Sequence, residues 1–354
     1  MRVIRILGGT LVTALCLFIG FLLYLMVTDF QPEPVEVIPI WGTGNSLSPS
    51  KTEFSFLSWN VGYCGLGSGM DFFYEGGKRV RPEINEFKNY LGGVIHTLSG
   101  MDSVDFIFLQ EADLHSKRSY FTNEVEEVSK CLPGYCSLFA KNYDTRFVPV
   151  PLTDPMGRVI SGIASFNRFK PQKAERIDFG TRFPWPKQLV FLKRCFMVMR
   201  FKLGDGKDLV VINTHNSTFD KGGMLRKPEL QKLHTFMMTE YARGNYVICG
   251  GDWNNNPRGF DPGYIHSGDR VKTVDPPLDT TFIPGWRFLF DPTMPTNRDV
   301  DMPYRKSETQ TTIIDFFVVS PNIDVRMVKT ISNRFAFSDH QPVYVKVHLN
   351  QKGI

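Results

Sequence analysis

Several apolar stretches of this chain end in side chains that can bind a cation or move a proton. "YVICGGDWNNNP" runs straight into Asp252 and Asn254, and "DLVVINTH" ends on His215. "FSFLSWN" ends on Asn60, "VDFIFLQE" on Glu111, and "AFSDHQPVYVKV" sets Asp339 and His340 just before a closing apolar run. "TIIDFFVVS" places Asp315 in the middle of an apolar stretch, where an unpaired carboxylate would cost on the order of several kcal/mol. It needs a partner, and His340 is the candidate: a buried aspartate bonded to one imidazole nitrogen fixes the tautomer and favours the protonated ring. Taken singly, Asn60 and Asp252 read as strand-end turn residues and His215 as a structural histidine. Six polar motifs in the order NV, QE, TH, GDxN, IDF and SDH, each attached to an apolar run, are hard to explain as six independent turns.

Carboxylates and amides at strand ends can meet only if the strands share one core and finish at one rim. From about Lys51 onward, apolar runs of strand length alternate with Gly/Pro-punctuated connections and helix-like stretches at Glu83 to Leu98 and Pro228 to Ala242. With 354 residues, 42% of them hydrophobic, the chain can bury one large α/β core. The net charge of +5 is spread over short groups such as "KRVRP" and "LRKPELQK", which favours anions in general and is not a nucleic-acid tail.

The first thirty residues are of another kind. Arg2 and Arg5 precede an uncharged stretch from Ile6 to Val27, enough for the roughly 20 residues that cross a bilayer. It is too long for a signal-peptide core and no small-x-small cleavage site follows. We read residues 1–29 as a cytoplasmic stub and transmembrane signal anchor. The arginines on the amino-terminal side keep that end in the cytoplasm and the rest outside, periplasmic or at the cell surface in a bacterium. Residues 30–50, with prolines at 32, 34, 39 and 49, read as an extended tether, and 51–354 as the catalytic domain. Five cysteines lie beyond the membrane segment; the odd number and the absence of CxxC argue against zinc. Cys131 and Cys136 flank "LPGY" and form either a disulfide or two free thiols.

From Thr52 to Leu349 the set "LQE", "NTH", "GDWN", "IDFFVVS" and "SDHQPV" resembles the endonuclease/exonuclease/phosphatase superfamily, which shares its fold with deoxyribonuclease I, neutral sphingomyelinases and inositol polyphosphate phosphatases. The resemblance implies a four-layer α/β sandwich and divalent-metal-dependent hydrolysis of a phosphate ester. It implies Asn60 and Glu111 as the metal-binding pair with Asp339 near the same ion, and Asp252 as the group that orients or deprotonates the attacking water. Asn254 would be its amide neighbour on the phosphate, and His215 and His340, the latter paired with Asp315, the imidazoles that contact it. Arg118 stands where relatives often carry an arginine; it either forks onto phosphate or makes a surface salt bridge. Apurinic endonucleases carry an aspartate where this chain has Gly62 and lack the TH motif, so the resemblance lies nearer the sphingomyelinase, inositol phosphatase and deoxyribonuclease I side.

The chemistry asks for the same residue types. An anionic phosphodiester resists water until its oxygens are neutralised and the nucleophile is aligned. Mg²⁺, with Mn²⁺ as the alternative, suits a sparse oxygen shell that leaves room for substrate. The expected partners are a phosphodiester, in a lipid head group or a nucleic acid, and a membrane through the first helix. A tethered phosphodiesterase acting on a phospholipid or sphingolipid head group leads; an extracytoplasmic nuclease or nucleotide phosphodiesterase is the alternative. An inactive binding module ranks last, because all eight positions from Asn60 to His340 are intact. "GTRFPWPKQLVF" and "FIPGWRFLF" set aromatics beside proline or glycine, either to touch a membrane or a base or to plug loops onto the core. The sequon at Asn216 adjoins His215 and is discounted.

Overall fold

A computed structural model describes residues 2–350 apart from Phe219, 261–277, Thr280 and Ser307. The helix α1 (Arg2–Val27) leads into a short strand β1 (Val35–Val37). There follow β2 (Glu53–Asn60), α2 (Ile84–Ser99), β3 (Phe106–Asp113), α3 (Glu124–Cys131), β4 (Cys136–Val148) and β5 (Gly157–Asn167). The second half holds β6 (Lys173–Asp178), β7 (Cys195–Lys202), β8 (Asp208–His215), α4 (Arg226–Ala242), β9 (Tyr246–Asp252), β10 (Arg287–Leu289), β11 (Asn297–Arg298), β12 (Thr311–Thr312), β13 (Asp315–Val319), β14 (Ile323–Thr330) and β15 (Val343–Leu349).

Strand alternation builds the layers. In β2, Phe54 and Phe56 point one way and Leu57 and Trp59 are buried in a different cluster. The first pair joins Phe106, Phe108, Met197, Val211, Ile248 and Phe317 in a core between two sheets, of order β14-β15-β2-β3-β5-β4 and β1-β6-β7-β8-β9-β13-β10. The second pair packs with Phe87, Val94 and Val128 of α2 and α3, while Leu233 and Met237 of α4 cover Val210, Ile212 and Phe316 on the far side of the other sheet. The result is the expected four-layer sandwich, helix on sheet on sheet on helix. The two helix-like stretches are helices, α2 opened by a Glu83–Glu86 capping box.

Residues 30–50 hold no helix and are laid onto the domain. β1 adds to the edge of β6, Trp41 bridges Ser137 and Asn45 bridges Phe169. At the helix exit the Asp29 carboxylate is paired with the Lys193 ammonium, both buried, and Lys193 also donates to the Phe30 carbonyl. Among the described residues α1 is helical without a break from Val3 to Val27, 25 residues whose single charged side chain is Arg5, and it is long and apolar enough to cross a bilayer. Cys131 and Cys136 are both free thiols, and the Cys136 Sγ faces the carbonyls of Asn167 and Phe169. Of the two aromatic stretches, Trp286 is a buried plug, whereas Trp185 is exposed. Asn216 is fully buried, so its sequon is closed to a glycan.

Candidate active site

Register places the polar strand ends side by side. His215 of β8 pairs with Asp252 of β9, and Asp252 with Asp315 of β13. Each shares the parity of a residue in the inter-sheet core, Val211, Ile248 and Phe317 respectively, so the three side chains stand in a row at the top of that core. Asn60 reaches the same level from the other sheet, sharing the parity of Phe54 and Phe56 and lying four residues beyond Phe56. Asp315 is a correction to the sequence reading: it begins its strand instead of sitting mid-run. Because β13 is antiparallel to β9, its first residue lies at the rim where β9 ends.

Glu111 does not follow this logic. Its parity is that of Ile107 and Leu109, which face the helices. A bulge intervenes: between Leu109↔Ala164 and Ala112↔Gly162 one residue of β5 faces two of β3, and Glu111 takes φ +55. The left-handed turn sends its side chain to the cavity, a strained conformation of the kind that accumulates at functional sites. Asn254 is also left-handed, at φ +49. Before it, Gly251 has φ +149, and a Cβ there would stand 1.9 Å from the Thr214 carbonyl oxygen, so only glycine lets β9 lie this close to β8.

Asp252, 1% exposed, is held on every side. Its Oδ2 accepts from the Asn60 amide at 3.0 Å and lies 3.3 Å from His215 Nε2 and 3.9 Å from His340 Nε2; its Oδ1 accepts the Asn254 backbone N–H at 2.9 Å. Burial works against its charge, but His215, His340 and that N–H outweigh it and hold the carboxyl well below the usual range. The Asn60 oxygen accepts from the Gly62 N–H at 2.9 Å, so this amide serves the Asp252 carboxylate first.

His340 donates from Nδ1 to Asp315 Oδ2 at 2.8 Å, the pairing expected from sequence. Burial opposes its cation, yet Asp315, Asp339 and Asp252 raise it well above the ordinary range, and burial raises Asp315 to about 6. His215 goes the other way: burial and Arg194 lower it against the pull of Asp252 and Glu111, and its Nε2 faces the Asp252 carboxylate. The loop carrying His340 is pinned by Ser338, whose hydroxyl donates to the Asn60 carbonyl at 2.8 Å, and by Trp59, whose indole donates to the His340 carbonyl at 2.9 Å.

Glu111 is ionised; burial opposes the charge, and His215, Arg118 and Arg194 outweigh it. Among the described residues its carboxylate accepts no hydrogen bond, and His215 Nε2 stands 3.8 Å away. Asp339 is raised to about 6 by burial with Glu111 nearby. A half-buried Glu111 with no donor of its own and a buried Asp339, in reach of each other's charge, suit a hard divalent cation. Ligand atoms of Asp252, Asp315 and His340 also lie within 4.8 Å of one another, but Asp315 and His340 are already spent on each other.

Arg118 makes the salt bridge, buried and not at the surface, and it also lines the cavity. It is buried, its Nε and Nη2 fork onto Asp113 at 3.1 and 2.9 Å, and it stacks over Tyr63 at 3.8 Å. Two site residues escaped the sequence reading. Arg194, 5% exposed, precedes β7, and its Nη1 is buried with no hydrogen-bond partner among the described residues. Asn297 on β11 brings its amide 3.0 Å from His340 Nε2. No sequence signal marked either: one lies in a "KR" pair among many, the other in a two-residue strand.

A cavity of about 1010 Å³ opens over this row, lined by Glu111, Arg194, His215, Asp252, Asn254, Asp339 and His340, with an apolar wing of Phe72, Met156, Phe183, Phe191 and Leu192. Asn60 and Asp315 hold Asp252 and His340 from the core side. Solved structures resemble this arrangement at low identity. An endonuclease/exonuclease/phosphatase protein from Bacteroides vulgatus matches with TM-score 0.54 and 15% identity, over 84% of this chain and all (100%) of that one. One from Beutenbergia cavernae matches with TM-score 0.53 and 16% identity, over 84% and 72%. The chain has the endonuclease/exonuclease/phosphatase fold. D. rerio TDP2, solved with a single-strand DNA product, has this fold too, with TM-score 0.53 and 14% identity over 84% of this chain and 100% of that one. No family model and no curated protein matches the sequence.

Proposed function

We propose that the protein is a divalent-metal-dependent phosphodiester hydrolase, held to a membrane by α1, that acts on a phospholipid or sphingolipid head group outside the cytoplasm. The observation that carries this reading is one cavity holding an ionised Glu111, an anchored Asp252, the His340–Asp315 pair and Arg194, with no hydrogen-bond donor to the Glu111 carboxylate and no partner for Arg194 Nη1 among the described residues. Glu111 with Asp339 would hold Mg²⁺ or Mn²⁺, which when bound neutralises phosphate oxygens.

The chain's own residues do the rest. Arg194 and the imidazolium of His340 donate to non-bridging phosphate oxygens, where their charge matters most as negative charge builds. His215 lends its Nε2–H to hold Asp252, and Asn254 supplies an N–H to the same carboxylate. So depressed a carboxylate is a weak base; it aligns water behind phosphorus and takes its proton as the new P–O bond forms and the P–O bond to the leaving group opposite it breaks, the departing oxygen being protonated from solvent. Asn60, by fixing Asp252 Oδ2, sets the line of attack.

The lipid reading is favoured by the membrane-length helix and by the aromatic wing beside the polar floor. The nucleic-acid reading draws on D. rerio TDP2, solved with a DNA product. The test uses the full chain in detergent or proteoliposomes with Mg²⁺, on mixed phospholipid and sphingolipid vesicles and on single-stranded and plasmid DNA, with and without EDTA. EDTA-sensitive release of head groups without DNA cleavage supports the reading. DNA cleavage without lipid turnover makes the protein a membrane-anchored nuclease. Neither activity removes the proposal.

A further inference from the structure

The domain's attachment to α1 has a direction. Phe21, in the penultimate turns of the helix, packs edge-on against Phe147 at the end of β4 with ring centroids 6.2 Å apart. Leu25 is buried, and the helix also touches the short turn Lys187–Val190. The Tyr143 hydroxyl donates to the Val190 carbonyl at 2.7 Å and ties that turn to β4. The Asp29–Lys193 pair and the ring of Phe30, 4.3 Å from the Lys141 ammonium, fix the exit of the helix to the same patch.

Depth can be worked out from the helix rise of 1.5 Å per residue. Val3–Val27 is roughly 37 Å long, against a hydrocarbon core of about 30 Å. Phe21 lies about 9 Å below the helix end, so its partner Phe147 comes to the boundary between head groups and acyl chains. Along the chain beside Phe147 and the Lys187–Val190 turn the domain exposes large apolar side chains: Phe147 at 38%, Leu152 at 86% and Trp185 at 56%. A tryptophan, with an apolar ring and one donor, suits this depth.

The same two segments wall the cavity. Tyr143 and Met156 come from β4 and the connection that carries Leu152; Phe183, Phe191 and Leu192 come from the segment that carries Trp185. We infer that the face formed by Phe147, Leu152 and Trp185 is seated in the interfacial layer of the bilayer that holds α1. The aromatic wing of the cavity then opens at head-group depth and draws its substrate laterally from the adjoining leaflet. This rests on the phosphodiesterase reading for the substrate alone; the seating of the face stands apart from it. The continuity of the patch with a membrane-spanning helix is what commits the occupant to a lipid surface.

The test places the full chain in vesicles of phosphatidylcholine brominated on the acyl chains and reads tryptophan fluorescence. Trp59, Trp253 and Trp286 are buried, so a Trp41→Phe background leaves Trp185 as the exposed reporter. Bromine quenching in Trp41→Phe that disappears in Trp41→Phe/Trp185→Phe is expected; equal quenching in both overturns the inference. A second arm compares Trp185→Asp and Phe147→Asp on vesicle lipid and on a soluble monomeric phosphodiester. A loss of about tenfold in kcat/KM on vesicles, or about 1.4 kcal/mol, with turnover of the soluble diester unchanged is expected; equal loss on both, or on neither, overturns lateral delivery. Quenching of Trp185 without any phosphodiester turnover would sink the hydrolase reading and leave the seated face supported.

Discussion

Arg194 gives the sharpest separation between a functional and a structural role. The residue is 5% exposed, and among the described residues its Nη1 meets no acceptor. Burial lowers its affinity for the proton although Glu111, Glu229 and Asp252 pull the other way, so the folded chain holds this charge at a cost. Replacement by methionine, of similar length and no charge, removes that cost. Stability of Arg194→Met should be unchanged or higher, by up to about 1 kcal/mol, a rise of a few degrees in Tm for a domain of this size. Activity should move oppositely. One charge-assisted hydrogen bond to phosphate is worth about 1.5–3 kcal/mol, or roughly 10- to 150-fold in kcat/KM. The assay is thermal unfolding by circular dichroism beside turnover of a soluble phosphodiester. A variant that unfolds earlier, or one that keeps wild-type kcat/KM, would refute the reasoning: the first outcome makes Arg194 a structural residue, the second a bystander.

Other expectations follow the same geometry. Asp252→Asn keeps the shape but loses the charge that aligns water, so kcat should fall by about 10²-fold or more while the fold, read by circular dichroism, stays intact. Gly251→Ala forces a Cβ to within 1.9 Å of the Thr214 carbonyl and should cost about 3 kcal/mol or prevent folding, read by urea unfolding of whatever soluble protein is obtained. Glu111→Gly relieves a left-handed glutamate at φ +55, so Tm should hold or rise while phosphodiester turnover is lost.

Much of the site could be read from sequence because strand alternation is a local rule. An apolar run of known parity that ends in His215 or Asp252 announces which face the last side chain takes, and a shared rim then follows from packing. Asp315 was misplaced within its run because periodicity does not say where a strand begins; pairing with Asp252 decides that, across 63 residues of chain. Glu111 faces the cavity for a reason alternation could not supply, since its parity is wrong and a bulge against β5 turns it round. The segment 30–50 read as a tether because nothing in its prolines and glycines reveals the distant edge of β6 that receives Val35–Val37. Arg194 left no pattern at all: its meaning lies in what fails to pair with it, which only three-dimensional neighbours define. Arg118 lines the cavity, and the fork of its Nε and Nη2 onto Asp113, five residues earlier, is again a matter of three-dimensional neighbours.

The central claim is that the cavity over Glu111, Asp252 and His340 hydrolyses a phosphodiester with a divalent cation held by Glu111. It is tested most directly by titrating Mg²⁺ into the EDTA-stripped full chain and into Glu111→Gln, following turnover of a soluble phosphodiester and Mg²⁺ binding by calorimetry on the same samples. The account expects saturable, Mg²⁺-dependent turnover and binding in the native chain, and loss of both in a Glu111→Gln protein of unchanged Tm. Turnover that survives EDTA, or that Glu111→Gln retains at the native Mg²⁺ midpoint, would contradict it.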